Sequence, residues 1–193
     1  MISAIILAAG QSRRMGQPKM LLPWGNRTVV EHVVATFLKA GVETIVIVTG
    51  AEPEGVEKAI VGYPVRAAHN RDYATGEMLS SLQCGLRELP AQTQAALIGL
   101  GDQPQVREES IRSICDAYLN RPSKLIVPSF QMKRGHPWLM ARPLWDEILA
   151  LRAPQTPRDF LNNHAGDILY VNMATPTILA DLDTPEDYRK SRP

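Results

Sequence analysis

Two hydrophobic periods alternate along this chain. Ile2 to Ala8, Thr44 to Val48, Ala95 to Leu100 and Leu125 to Val127 are short, nearly continuous apolar runs, the pattern of strands covered on both faces. Tyr63 to Ala68 predicts a further strand. Between these runs, apolar residues recur every three or four positions: Val29, Val30, Val33, Val34, Phe37 and Leu38, then Met78, Leu79, Leu82, Leu86 and Leu89. A third set is Ile111, Ile114, Cys115, Tyr118 and Leu119. Each spacing gathers its residues on one helix face. Thr28 with Glu31 predicts a capping box for the first helix, and Gly41 its end. Pro53 suits the first turn of a short helix through about Ile60.

The last third changes character. Residues 132–140 predict a loop entering a strand, 143–151 a short helix, and Thr156-Pro157 the start of another. Residues 167–173 and 177–182 predict strands, and Thr184-Pro185 opens a terminal helix with Asp187 as capping partner. Alternating strands and helices give an α/β fold: a three-layer α/β/α, Rossmann-like arrangement with a mostly parallel mixed sheet, since parallel neighbours need crossover helices. No repeat, low-complexity tract or linker interrupts the chain, so 1–193 is expected to be a single domain.

Charge narrows the partners. Twenty-one Lys plus Arg against twenty Asp plus Glu leave a formal +1, so no global field favours nucleic acid or an anionic membrane. Cys84 and Cys115 sit on apolar helix faces, where a reduced, buried thiol is expected. The N-terminal run lacks a basic n-region, and no apolar run is long enough to span a bilayer, which predicts a cytoplasmic protein.

The candidate chemistry starts at Ile5 to Leu22. A buried strand breaks at Gly10 into a polar stretch with Gly16, Arg13, Arg14 and Lys19, three cations within seven residues. Glycines admit close backbone approach and the cations make the loop electropositive, so phosphate is the natural guest. The spacing is neither a Walker A loop nor a dinucleotide fingerprint. Adjacent arginines diverge, and Arg14, beside Met15-Gly16, is the better ligand contact. Asp102 follows the strand ending at Leu100, and ligands of such sheets sit beyond the carboxyl ends of strands. A carboxylate opposite a phosphate loop is what Mg²⁺ requires. Asp181 and Asp183 alternate and would share a side in an extended chain; Asp183 is either a helix-start residue or a second carboxylate. His136 precedes a proline without a metal-ligand partner at suitable spacing, and His32, His69 and His164 form no constellation.

Leu7-Ala8-Ala9-Gly10-Gln11-Ser12-Arg13-Arg14-Met15-Gly16, Lys19 and Leu21-Leu22-Pro23 together resemble the signature loop of nucleotidyltransferases with a glycosyltransferase-A-like fold. The likeness is strongest to the molybdopterin nucleotidyltransferase branch. It extends through Asn70-Arg71-Asp72-Tyr73, Gly76, Ser81-Leu82, Gly101-Asp102-Gln103-Pro104, Gly135-His136-Pro137 and Asp181 to Asp187. The resemblance implies that residues 1–104 mainly bind nucleotide and 105–193 mainly bind the acceptor. Leu7, Ala8, Ala9, Gly10, Ser12, Arg14, Lys19 and Gly101 would hold the nucleotide, and His136 would help shape the acceptor site. Asp102 and Asp183 would hold Mg²⁺, with Arg14, Lys19 and Asp102 catalytic. The implied small molecules are CTP and molybdopterin, and the implied protein partner is a molybdoenzyme or its chaperone. Ala8-Ala9-Gly10 resembles cytidylyl-transferring members, whereas guanylyl-transferring relatives usually read Ala-Gly-Gly. Arg71 stands where relatives often have Pro, and Glu77 precedes Met78 where many place Met directly after Gly. Another phosphorylated acceptor, or a non-catalytic nucleotide-binding accessory protein, are the alternative functions.

Overall fold

The computed structural model describes residues 1–121 and 123–193. In chain order its elements are β1 (Ile2–Ala8), β2 (Pro23–Trp24), β3 (Arg27–Thr28), α1 (Val29–Lys39), β4 (Ile45–Thr49), α2 (Pro53–Ala59), β5 (Arg66–His69) and α3 (Glu77–Glu88). There follow β6 (Ala95–Leu100), α4 (Glu108–Asn120), β7 (Leu125–Phe130), β8 (Lys133–Arg134), β9 (Trp138–Ala141), α5 (Trp145–Ala150), α6 (Pro157–Asn163), β10 (Ile168–Asn172) and α7 (Pro185–Ser191).

The main sheet runs β10-β7-β9-β6-β1-β4-β5, with β8 paired to β7. Its β10–β7, β6–β1, β1–β4 and β4–β5 pairs are parallel; β9 is antiparallel to both neighbours. Side-chain alternation divides the core. Ile5 and Leu7 join Leu82 and Leu86 of α3, Ile148 of α5 and Phe160 of α6 on one face. Ala4, Ile6 and Ala8 join Val30 and Phe37 of α1, Val56 of α2 and Ile111 of α4 on the other. Ile5 and Ile6 are 0% exposed, and full burial of such a side chain contributes about 1.5–3 kcal/mol. The α/β/α expectation therefore holds, and so do the capped helix starts at Thr28, Thr156 and Thr184.

A third, smaller core has no counterpart in the periodicity. Met15, Leu22, Trp24 and Val29 from the first loop and α1 enclose Leu182, with Tyr188 packed against them. The Tyr188 hydroxyl donates to Pro23 O at 2.6 Å, clamping the C-terminal segment onto the loop.

Several expected elements change. Residues 177–182 are no strand: Pro176–Leu179 is a 3₁₀ turn, after which the chain continues outside any strand. Proline at the turn start removes a ladder donor, while buried Ile178 is held where its carbonyl accepts from His136 N at 3.0 Å. The strand expected at 63–68 is Arg66–His69, because Tyr63 and Val65 are occupied by a turn. Leu119 is 71% exposed and stands off the core that Cys115 and Tyr118 of the same helix pack against. Cys84 and Cys115 are free and half-buried rather than fully enclosed. Burial raises both thiols, Cys115 to about 11, which keeps them protonated and unreactive near neutral pH.

Candidate functional site

Strand β1 is central because α1 carries the chain to β4 and β5 on one side, then α3 returns it to β6 on the other. That reversal opens a crevice at the carboxyl ends of β1 and β6. Leu7 and Leu100 are register partners, so Gly10 and Asp102 leave the sheet at the same edge. A cavity of about 260 Å³ lies there, lined among others by Leu7, Ala9, Gly10, Lys19, Tyr73, Ser81 and Asp102.

The loop is shaped by its own backbone. Ser12 has φ 51° and its carbonyl accepts from Met15 N at 3.0 Å and Gly16 N at 3.1 Å. Gly16 leaves this turn at φ 70°, a left-handed conformation that costs glycine little. Met15 enters the third core, 4% exposed. The Ser12 hydroxyl then accepts from Lys19 N at 3.1 Å, where Lys19–Leu21 forms a 3₁₀ turn. Ser12 thus positions Lys19 through its backbone.

The two arginines diverge as expected. Arg13 Nε donates to Gln11 Oε1 at 2.8 Å, while an Arg14 guanidinium nitrogen is 2.9 Å from Asp183 Oδ2. The Lys19 ammonium donates to Asp102 and lies 3.5 Å from Asp183 Oδ1. Its side chain is 12% exposed and that of Asp102 16%, so this pair has lost most of its water. Behind it, Leu182 N donates to Asp102 O at 3.0 Å. Asp102, Asp183, Lys19 and Arg14 are therefore one ionic cluster built from both ends of the chain.

Asp181 and Asp183 lie near one another but take different partners, Asp183 facing Arg14 and Lys19. Asp181 accepts from Gln103 Nε2 at 2.6 Å. Burial raises its carboxyl above the usual range, the Gln103 hydrogen bond opposes this, and nearby Asp102 and Asp183 add to the rise. Its partner Gln103, outside the expected set of binding residues, is 3% exposed. The signal available for it was its place between Asp102 and Pro104.

The other expected residues divide into lining and support. Leu7, Ala9 and Gly10 line the cavity; Ala8 faces the α1 side of the core, and Gly101 supports the edge from behind. A Cβ on Gly101 would meet Met20 Sδ at 3.0 Å and Ala8 Cβ at 3.1 Å. His136 is not brought to this cavity. Burial pushes its imidazole down to about 4, so the ring is neutral at pH 7. Tyr73 and Ser81, which entered only as motif residues without a role, line the cavity, and Asn70 fixes that wall by donating to the hydroxyls of Ser80 at 2.8 Å and Ser81 at 3.0 Å.

Among the described residues no group of three His, Cys, Asp or Glu side chains is arranged to hold a metal. Asp102 and Asp183 nevertheless converge on the single ammonium of Lys19. Two carboxylates meeting one cationic centre suit a hard divalent ion that takes its remaining oxygens from water and phosphate, as Mg²⁺ does. The donor set fits a shared metal rather than an all-protein cage.

This architecture, a mixed α/β sheet with helices on both faces, is that of a nucleotidyltransferase. The family model describing a MobA-like NTP transferase domain matches residues 4–168, and the chain belongs to that family. A molybdenum cofactor cytidylyltransferase of Escherichia coli is 30% identical over 188 residues, 97% of this chain and 93% of that protein. A nicotine blue oxidoreductase of Paenarthrobacter nicotinovorans is 31% identical over 195 residues, 96% of this chain and 93% of that one. Among solved structures, a Methanothermobacter nucleotidyl transferase aligns with TM-score 0.84 at 28% identity, covering 100% of this chain and 96% of its own. A Mycobacterium tuberculosis protein in complex with manganese aligns at TM-score 0.76 and 26% identity, covering 98% and 96%.

Proposed function

We propose that the protein transfers CMP from CTP to the terminal phosphate of molybdopterin, releasing pyrophosphate, with Mg²⁺ held by Asp102 and Asp183. The observation that carries this is the convergence of Lys19 and Arg14 with those two carboxylates beside the glycine loop. The cytidylyltransferase name of the Escherichia coli relative and the manganese bound by the mycobacterial structure support nucleotide and metal. Whole-chain identity does not choose the chemistry, because the oxidoreductase relative is equally similar. The cationic glycine loop beside two carboxylates favours phosphate transfer.

An acceptor phosphate oxygen attacks the α-phosphorus of CTP, a P–O bond forms, and the bond from the α-phosphorus to the bridging oxygen breaks, its electron pair leaving on that oxygen as part of pyrophosphate. No general base is needed, because the attacking phosphate is already ionised at pH 7. Such a transfer depends on positioning and charge neutralisation. Backbone amides of the Gly10 loop and the cations of Arg14 and Lys19 would hold the triphosphate and stabilise the charge that develops on the leaving group. A bound divalent ion supplies further neutralisation of the phosphate oxygens. The Ala8-Ala9-Gly10 stretch supports CTP over GTP. The dinucleotide product would pass to a molybdoenzyme or its chaperone, and no described helix is long and apolar enough to cross a membrane.

Pyrophosphate release with CTP or GTP, each with and without molybdopterin, tests this. Release that requires CTP and molybdopterin together is expected; equal use of GTP, or release independent of molybdopterin, contradicts it.

A further inference from the structure

Residues 102–103, just beyond β6, meet residues 181–182 through two bonds made by neighbouring positions on each side. Leu182 N donates to Asp102 O at 3.0 Å, and Gln103 Nε2 donates to Asp181 Oδ1 at 2.6 Å. Asp183 follows Leu182 directly, and the Leu182 side chain is 0% exposed in the third core. The stretches that carry the Asp102 and Asp183 carboxylates are thus tied together by one main-chain and one side-chain bond.

An amide is an unfavourable side chain for the place Gln103 occupies. The residue is 3% exposed, and its Oε1 is buried with no hydrogen-bond partner among the described residues. A buried acceptor without a partner costs stability, and an apolar side chain of similar length avoids that cost. Asp181 keeps contact with solvent, so water can satisfy its carboxylate when the bond from Gln103 is removed. Fold stability therefore gives no reason for an amide at position 103. What the amide alone supplies is the bond to Asp181.

Charge explains why that bond is needed. The Lys19 ammonium stands between Asp102 and Asp183, and the transfer reaction proposed above turns this cation toward the triphosphate. The two carboxylates then repel one another. Asp183 lies outside any helix or strand, and its other partner, Arg14, has a side chain 70% exposed, so water screens that pair. We propose that Gln103 is a positioning residue, whose bond to Asp181 holds Asp183 where its carboxylate and that of Asp102 face one cation. It acts on Asp183 through Asp181 and the Leu182 backbone. The assignment rests on the proposed transfer and adds to it what keeps the two carboxylates together.

Three variants of the full chain separate the bond from the charge. Gln103→Met removes the donor and the unpaired Oε1 while keeping the length. Asp181→Ala removes acceptor and charge together, and Asp181→Asn removes the charge alone, because its amide oxygen still accepts. Mn²⁺ affinity in the presence of CTP, read from the paramagnetic resonance signal of the free ion, is expected to fall about tenfold in Gln103→Met and Asp181→Ala and to stay within about twofold of wild type in Asp181→Asn. Amide hydrogen exchange at Leu182, measured without ligands, should accelerate about tenfold in the same two variants only. The melting temperature of Gln103→Met should stay within about 3 °C of wild type. Unchanged Mn²⁺ affinity in Gln103→Met, or equal weakening in Asp181→Asn and Asp181→Ala, overturns the inference. A wild-type chain that binds no Mn²⁺ contradicts the proposed metal, and Leu182 exchange then decides the positioning role: acceleration in Gln103→Met and Asp181→Ala but not in Asp181→Asn supports it, and no acceleration overturns it.

Discussion

The ammonium of Lys19 stands between the carboxylates of Asp102 and Asp183, bonded to the first and 3.5 Å from the second. One side chain from the N-terminal loop thereby neutralises a sheet-edge aspartate and an aspartate from the C-terminal segment. It also marks where two carboxylates can meet a shared cation.

Lys19→Ala is expected to lower kcat by about 10²–10³, the loss typical of removing a group aimed at developing charge. Asp102 would be left partly buried without its partner. A double-mutant cycle with Asp102→Asn should therefore give a coupling of about 1–3 kcal/mol in urea unfolding. Additive stability changes would show the pair to be energetically independent.

Asp181 and Asp183 should separate in kinetics. Asp183→Asn removes a carboxylate facing Arg14 and Lys19 and is expected to reduce turnover about tenfold or more. Asp181→Asn changes a group turned toward Gln103 and should alter turnover much less. Steady-state rates at saturating CTP distinguish them; a larger loss for Asp181→Asn contradicts the assignment.

The C-terminal clamp should control the loop. Leu182 is 0% exposed in the third core, so Leu182→Ala should destabilise by about 2–5 kcal/mol. Tyr188→Phe removes only the 2.6 Å bond to Pro23 O and should cost about 0.5–1.5 kcal/mol. Both variants should raise the KM for CTP, because the same core seats Met15 beside Arg14. Chemical denaturation and CTP titration measure the two effects separately.

How far the site was legible in the sequence follows from which contacts are local. The buried strand ending at Ala8, the Thr28 and Glu31 box, and the divergence of Arg13 from Arg14 are properties of neighbouring residues, and the structure keeps them. The common edge of Gly10 and Asp102 followed from the rule for parallel sheets. The partner of Asp181 was not legible, because the bond from Gln103 joins segments far apart in the chain. Nor was the 3₁₀ turn at Pro176–Leu179, where Ile178 packs so closely on Gly135 that a Cβ there would meet Ile178 O at 2.4 Å. The third core was hidden for the same reason: Leu182 is isolated in its own segment and becomes part of a core only against Met15 and Trp24.

Acid should expose the burial of His136. Its folded pKa is about 4 against an ordinary 6.5, so the unfolded chain binds a proton that the folded chain refuses. Its contribution is complete above pH 6.5 and is lost as pH falls from 6.5 toward 4, by about 3 kcal/mol in total. Urea unfolding at pH 7 and pH 4.5 should show a smaller acid-induced loss in His136→Gln than in wild type. Equal losses would assign the acid sensitivity to other groups.

Pyrophosphate release from CTP and molybdopterin, comparing wild type with Asp102→Asn at saturating Mg²⁺, tests the ionic edge most directly. A fall of about 10³ or more in the variant, with its folded state intact by circular dichroism, is expected if Asp102 holds the proposed metal and orients Lys19. A rate near that of wild type would contradict the proposed site.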